Sequence, residues 1–578
     1  MKRLLLLCFF AAALMYALPG FACTTIIVGK KATTDGSVLV SHSEDGLGDP
    51  RMIYVPAMDH EPGAMRPVFY SDCALGYKAR YGADAAVRLI TNTRGPGYNQ
   101  PGQPSTPLGY IPQVAHTYAY FDGNYGVINE HQLALGECTD KAKVDDVEPE
   151  PGKRIFYSAE LGRVALERCK KAREAIKLMG ELIAKYGYYG TGETLLVADP
   201  DEAWVMEMCN YDKDGSDGVW VAQRVPDDHF FVAANQFRIR EIQQHSSDMM
   251  YSRNVFSAAK SKGWWKPSDG PLDWTKVYGD GEYHHPYYSL RRVWRAMSLA
   301  APSLNLPAWV EGALTKAYPF SIKPDNKMNV KDVFNIHQDT YAGTEFDLSK
   351  GLAAGPFGDV VRYEGGSEST MAGETGPGAK GAFERPLSIY RCIYCYVNQI
   401  RKNLPDAIGG VTWMGFDRPA TSSLQPFHVG VVNLPPWVQR GDAMVFDRGS
   451  MWTAFNYVAN YATIKYDYMI QDIAAMRDKL EAEAFGDQAA LEAKALELWN
   501  GGDQMGARLL LTRWADAYAK QVLESWWKLS EDLYIKYNDG YINTREELAK
   551  QLFYPDWWLE KVGYPNGPTS YEKRAGEH

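Results

Sequence analysis

The chain has 578 residues, 46% apolar, 13% aromatic and 23% charged, which is the make-up of a water-soluble globular protein and excludes a disordered or fibrous one. Its formal charge of −10 comes without a dense basic cluster, so a nucleic-acid partner is not expected. The length calls for one large body with at least one appended unit.

Residues 1–22 differ in kind from the rest. Lys2 and Arg3 form a positive start, residues 4–18 are almost wholly apolar, and Pro19-Gly20-Phe21-Ala22 is a breaker ending in a small residue. An apolar run of 15 residues is short for a membrane span and fits a secretory signal, removed after Ala22 by signal peptidase. No later stretch is apolar for long enough to span a bilayer. The expectation is an exported protein, periplasmic or secreted, without stable membrane insertion. Loss of Lys2 and Arg3 takes the charge from −10 to −12, and seven cysteines remain. Seven is odd, so at least one thiol is free or paired with another molecule.

Cys23 would open the mature chain, and three readings are available: a coincidence of cleavage, a lipid attachment point, or a nucleophile. Gly20 and Phe21 suit a lipoprotein signal badly, and Thr24-Thr25-Ile26-Ile27-Val28 reads as a buried strand and not as a tether. An N-terminal cysteine carries a thiol and a free α-amine, with ordinary pKa values of about 8.5 and about 8, so the amine serves as base to its own nucleophile. While the peptide bond to Ala22 stands, the amine is capped and the precursor is inert.

Residues 23–28 and 37–43 are two strand-like runs around a Thr34-Asp35-Gly36 turn signal. The resulting hairpin pairs Val28 with about Ser37 and returns His42 to Asp45 to Cys23, where Asp45, or else Glu44, holds the protonated amine. Residues 158–186 read as one long amphipathic helix. Residues 194–198, 203–210, 219–225 and 229–234 are four strand-like runs separated by turns, a meander that leads into Asn235. Asp212, Asp214 and Asp217 lack the closing Glu of a calcium loop and read as a hairpin turn. His284-His285 stands without a His-Glu-x-x-His motif, and no cofactor or metal is expected. Cys392 and Cys395 lie on a strand-like run, where residues three apart face opposite ways, so a redox pair is not expected. From about residue 466 the chain reads as helical over 469–485, 488–499 and 507–537, with breaks at Gly486-Asp487 and Asn500-Gly501-Gly502.

The run Cys23-Thr24-Thr25-Ile26-Ile27-Val28-Gly29-Lys30-Lys31-Ala32-Thr33-Thr34-Asp35-Gly36-Ser37 resembles the opening of the cysteine dipeptidase family of the N-terminal-nucleophile hydrolases, related in fold to penicillin V acylases and bile salt hydrolases. Further similar blocks are Gly126-Val127-Ile128-Asn129-Glu130-His131, Glu202-Ala203-Trp204-Val205-Met206-Glu207, Gln223-Arg224-Val225-Pro226-Asp227-Asp228, Tyr341-Ala342-Gly343-Thr344-Glu345-Phe346-Asp347 and Ala354-Gly355-Pro356-Phe357-Gly358. The resemblance runs from residue 23 to about 465. It implies an α+β fold, an αββα sandwich of two antiparallel sheets between helices, over 23–465, with 466–578 as a helical C-terminal region. It implies hydrolysis of dipeptides, with Cys23 as nucleophile, Asp45 as partner of its amine, Asn235 as side-chain donor to the oxyanion and Asn129 near the nucleophile. One position departs from the pattern. Members carry Arg-Asn-Glu-Asp-Gly where this chain has His42-Ser43-Glu44-Asp45-Gly46, which replaces a permanent cation near the thiol by a titratable one.

The leading expectation is an exported cysteine hydrolase that cleaves dipeptides. A dipeptidase binds a free amine and wants carboxylates in its pocket, for which Glu44, Glu130 and Glu137 are candidates, while Arg391 is a further candidate for the substrate pocket. The first alternative is an N-acyl amidase, which wants an apolar slot instead. The second, from another class, is a binding protein lipidated at Cys23. Partners are a small peptide and signal peptidase, and the C-terminal helices are open to packing or to contact within a homo-oligomer.

Overall fold

A short hairpin sets the frame. In the computed structural model, which describes residues 23–46, 49–69, 107–145, 147–363, 381–443 and 445–569, β1 (Thr24–Val28) and β2 (Val38–Asp45) run antiparallel with Thr24 opposite Ser43 and Val28 opposite Leu39. Residues 1–22 and Cys73 lie outside the described residues. The turn closes as its chemistry dictates: Asp35 Oδ1 accepts hydrogen bonds from the Ser37 N–H and hydroxyl, and Gly36 takes a φ of +78°. Val28 therefore pairs two residues beyond Ser37. A shift of two keeps every side chain on its expected face, so the return of His42 to Asp45 toward Cys23 survives the correction.

Next along the chain come β3 (Ala134–Asp140), α1 (Ser158–Arg168), α2 (Ala172–Tyr186), β4 (Gly192–Ala198), β5 (Ala203–Asn210), β6 (Gly218–Val225) and β7 (Phe230–Ala233). They are followed by α3 (Leu290–Ala300), α4 (Val330–His337), β8 (Cys392–Ile400), α5 (Tyr466–Asn500) and α6 (Gln504–Tyr537). One antiparallel sheet of seven strands runs in the order Ser321–Ile322, β7, β1, β2, β8, Val411–Phe416, Gln425–His428. A second, of eight, runs Met249–Tyr251, β6, β5, β4, β3, Gly126–Asn129, Tyr120–Asp122, Ile53–Val55.

The two sheets face each other through β1 and β2 on one side and β3 on the other. Their approach is so close at Gly136 that a Cβ there would stand 2.6 Å from Thr25 Oγ1, which only glycine avoids. Tyr396 OH donates across the gap to Leu135 O at 3.0 Å, and Asn398 Nδ2 to Val127 O at 3.2 Å. Helices α1 and α2 cover the outer face of the second sheet, packing Leu161, Val164, Ile176 and Met179 on Leu195, Val197, Trp204 and Met206. Helices α4, α5 and α6 lie against the first sheet. The fold is α+β with a helical C-terminal region.

Three expectations need correction. Strands β4, β5 and β6 form the meander, but β7 leaves it: Thr25 pairs with Ala233 and Val28 with Phe230, so β7 sits beside β1 in the facing sheet. Met249–Tyr251 takes the free edge of β6 instead. The helix expected over 158–186 is two helices, because Cys169 is extended (φ −117°, ψ 150°) between them. Both cover the same sheet face, so their apolar spacing stays in phase across the break. Lastly, α5 runs unbroken through Gly486-Asp487. Phe485 stacks on Trp413 with centroids 4.2 Å apart, and buried Leu480, Ala484 and Leu491 fix the helix on the core, which outweighs the roughly 1 kcal/mol that a helical glycine costs. The break after Asn500 does occur, with Gly502 at φ +89° and α6 beginning at Gln504. Among the described residues no helix is long and apolar enough to cross a membrane.

Candidate active site

Cys23 stands immediately before β1 and is fully buried. The hairpin register brings β2 alongside it. The Thr24 N–H donates to Ser43 Oγ at 3.2 Å, Ser43 Oγ donates to Asp45 Oδ2 at 3.1 Å, and Arg385 Nη2 donates to the same oxygen at 2.6 Å. Arg391 donates to Asp45 O, and its other Nη donates to Tyr288 OH at 3.1 Å. Alternation along β2 puts Ser41, Ser43 and Asp45 on one face and His42 and Glu44 on the other.

On that second face four buried side chains converge. Cys23, His42, Glu44 and Glu137 each offer a donor atom, and these atoms all lie within 4.8 Å of one another. His42 Nδ1 is 2.7 Å from Glu137 O and His42 Nε2 is 3.1 Å from Glu44 Oε2. Thr139 Oγ1 donates to Glu137 Oε1 at 2.9 Å, and Tyr157 OH donates to Glu193, which lies beside Glu137. Burial, and then their mutual repulsion, pushes Glu137 above the usual carboxylate range. Burial foremost, and then the charges of Glu137, Glu44 and Asp45, push the Cys23 thiol well above its ordinary value, so a thiolate needs a proton acceptor within reach.

Asn235 reaches this region because β7 crossed to the first sheet. It takes a φ of +60°, which Asn tolerates better than most residues. Its Nδ2 donates to Thr139 O at 2.6 Å, its N–H donates to Cys138 Sγ at 2.9 Å, and its Oδ1 accepts from Arg292 Nη2 at 2.7 Å. Arg292, fully buried on α3, is the residue that ties the pieces together. Its Nη1 donates to Cys23 O at 2.8 Å and Thr24 Oγ1 at 3.1 Å, while Nη2 also donates to Ala234 O at 3.2 Å.

The sequence-derived candidates thus divide. Cys23, His42, Glu44, Asp45, Asn235 and Arg391 form one connected neighbourhood with Glu137. Asn129 serves the fold: Nδ2 donates to Leu166 O and Cys169 O, closing the end of α1, and Oδ1 accepts from the His131 and Leu133 N–H groups, so both ends of its amide are occupied by backbone. Glu130 accepts from the Ala119 N–H and pairs with Arg508 of α6 at 3.3 Å, a contact with the C-terminal helices and not with the thiol. Sequence reasoning missed Arg292, Arg385 and Glu193. Arg292 had a signal: it stands four residues before Ala296 and eight before Ala300 on the buried stripe of α3. Arg385, on the Glu384-Arg385-Pro386 loop, had none. The six described cysteines, Cys23, Cys138, Cys169, Cys209, Cys392 and Cys395, are buried free thiols.

A buried thiol thus lies among carboxylates, a histidine and arginines on facing antiparallel sheets, and comparison with known proteins sets the molecule among the cysteine-type peptidases. Residues 22–89 and 124–479 match peptidase family C69, and the chain belongs to that family. It is 25% identical over 441 residues to a probable dipeptidase of Salmonella dublin, covering 75% of this chain and 86% of that one. It is 27% identical over 413 residues to a probable dipeptidase of Latilactobacillus sakei, covering 70% and 74%. Dipeptidase A of Lactobacillus helveticus is 22% identical over 423 residues, covering 72% and 76%.

Proposed function

We propose that this chain is an exported cysteine dipeptidase of the N-terminal-nucleophile type, with Cys23 exposed as nucleophile by removal of residues 1–22. The observation that carries the reading is the position of Cys23 at the mouth of a hairpin whose returning strand sets Asp45, braced by Ser43 and Arg385, beside it. Two facing antiparallel sheets with helices outside support the αββα sandwich, and the dipeptidase names of the relatives support the substrate class.

In this mechanism the freed α-amine takes the thiol proton, and sulfur attacks the scissile carbonyl carbon. Asn235 and neighbouring N–H groups receive the oxyanion, a contribution of roughly 3 kcal/mol per good donor. The ammonium then returns its proton to the leaving amine, and water hydrolyses the thioester with the amine again as base. Asp45 holds the ammonium. Glu44 and Glu137, buried beside the thiol, offer carboxyl oxygens to a substrate's free, positively charged amine, a group that an N-acyl amide lacks.

Two measurements test this. A chain with Met or a tag before Cys23 is expected to be inactive until the extension is removed, and full activity of an extended chain, verified by intact mass, would overturn the mechanism. Dipeptides are expected to exceed their N-acetyl forms in kcat/KM, and the reverse order would favour the amidase. A diacylglyceryl mass on Cys23 would favour the lipidated binding protein.

A further inference from the structure

We infer that Cys23, His42, Glu44 and Glu137 form a binding site for one zinc ion. The donor set is one sulfur, one nitrogen and two carboxylate oxygens, the mixture that tetrahedral zinc accepts and that magnesium or calcium, which want oxygen alone, do not. The four donor atoms already lie within 4.8 Å of one another. Zinc bonds of about 2.0–2.3 Å set tetrahedral donors roughly 3.4 Å apart, so small side-chain shifts close the site. The histidine is prepared for it. Nε2 points to Glu44, while Nδ1 lies 2.7 Å from Glu137 O and 3.3 Å from Glu137 N; with zinc on Nε2 the ring proton sits on Nδ1 and goes to that carbonyl, the outer support that orients metal-bound histidines. Independently, Glu44 Oε1 is fully buried and has no hydrogen-bond partner among the described residues, an acceptor that a cation would satisfy.

Binding exchanges a proton for the metal. The Cys23 S–H bond breaks, an S–Zn bond forms, the proton passes to buffer, and the ion sheds bound water as the imidazole and carboxylates enter. A divalent cation also reverses the local electrostatics, since the acids that disfavour a thiolate become its fellow ligands. Zinc draws electron density from the bound sulfur and holds it among the other ligands, which weakens it as a nucleophile and blocks its approach to a carbonyl. Zinc and substrate therefore exclude each other; this consequence rests on the proposed role of Cys23, whereas the binding itself does not.

The test uses the full chain, stripped with a chelator and titrated with zinc chloride by calorimetry, with activity left out of the readout so that it stands or falls apart from the proposed function. The expected result is one zinc per chain with proton release, and an X-ray absorption shell containing one sulfur alongside nitrogen and oxygen. His42→Ala and Glu137→Gln should each weaken binding at least about tenfold, the loss that even outer-shell changes bring. Cys23→Ala should remove the sulfur from the shell. Absence of stoichiometric binding, a shell without sulfur in the unaltered chain, unchanged affinity in the folded Cys23→Ala chain, or equal competition by magnesium would each overturn the site. The absorption shell of the unaltered chain decides the matter even where a variant fails to fold.

Discussion

Arg292 reinforces the place where β1 and β7 pair, just beyond the last residues of their ladder. One guanidinium serves Cys23 O, Thr24 Oγ1, Ala234 O and Asn235 Oδ1, and a fifth acceptor, Tyr288 O, lies 2.9 Å from Nε. Burial, and then repulsion from Arg385, lowers its pKa to about 10, which still leaves a cation at neutral pH. Replacing it with Leu strands several buried oxygens at roughly 1–3 kcal/mol each, so Arg292→Leu is expected to cost about 3 kcal/mol or more in urea unfolding. Lysine has one donor centre and cannot span the same acceptors, so Arg292→Lys should fall between the two. The thiol presents the opposite case. Cys23→Ala removes one small buried side chain, and under the proposed mechanism hydrolysis should vanish while circular dichroism and the melting transition stay near those of the parent. Cys23→Ser should keep at most a trace of turnover, since the amine remains but the hydroxyl is a poorer nucleophile. Retained turnover in a folded Cys23→Ala chain would remove Cys23 from the chemistry.

Helix α5 is where an element overrules its own weak points. Gly486 is exposed, and a Cβ there would meet nothing within 4 Å. Gly486→Ala is therefore expected to stabilise the protein by about 1 kcal/mol, read as a higher Tm. The same helix is clamped to the first sheet by Glu492, whose carboxylate accepts from Arg401 Nη1 and Nη2 at 2.8 and 2.6 Å and lies 3.0 Å from His428 Nε2. Burial alone would raise Glu492, but the hydrogen bonds from His428 and Arg401 outweigh it and bring the pKa to about 2 from the usual 4.5. A carboxylate lowered on folding stabilises above its unfolded pKa, and that stability drains away as pH falls from about 4.5 to about 2. The lowering corresponds to roughly 3 kcal/mol. Urea midpoints of the parent should drop over this range, and Glu492→Gln should lose the Glu492 share of that drop while being less stable at pH 7.

At the scale of the whole molecule, the C-terminal helices share the core of the sheets. Phe455 stacks on Trp526 of α6 at 4.2 Å, Trp413 stacks on Phe485 of α5, and the buried cluster that holds Cys23 continues to Tyr537. The family match likewise runs past the start of α5, to residue 479. Helices α5 and α6 are then an integral wall of the fold. A chain ending at residue 465 would expose the surface that α5 and α6 cover, and it is expected to lose cooperative unfolding and to aggregate. A soluble truncation that melts in one sharp transition would show the helices to be dispensable.

Local signals carried far in this chain. The strand run after Cys23, the Asp35-Gly36 turn and the alternation along β2 determined a hairpin with His42 and Glu44 on one face and Asp45 on the other, because turn chemistry and a period of two act over a few residues. The meander of β4 to β6 was legible for the same reason, the helical C-terminal region through its helix-forming composition, and the α+β class through the resemblance to a known family. Tertiary structure decided what depends on partners distant in sequence. It moved β7 to the facing sheet and so carried Asn235 toward Cys23, set Arg292 of α3 across both, placed Glu137 against His42, and kept α5 continuous over Gly486. Asn129 shows the limit most plainly. A polar residue in a block that resembles the family was spent on capping a helix that lies 37 residues away in the chain at Leu166, since a buried amide bonds whatever backbone the packing brings within reach.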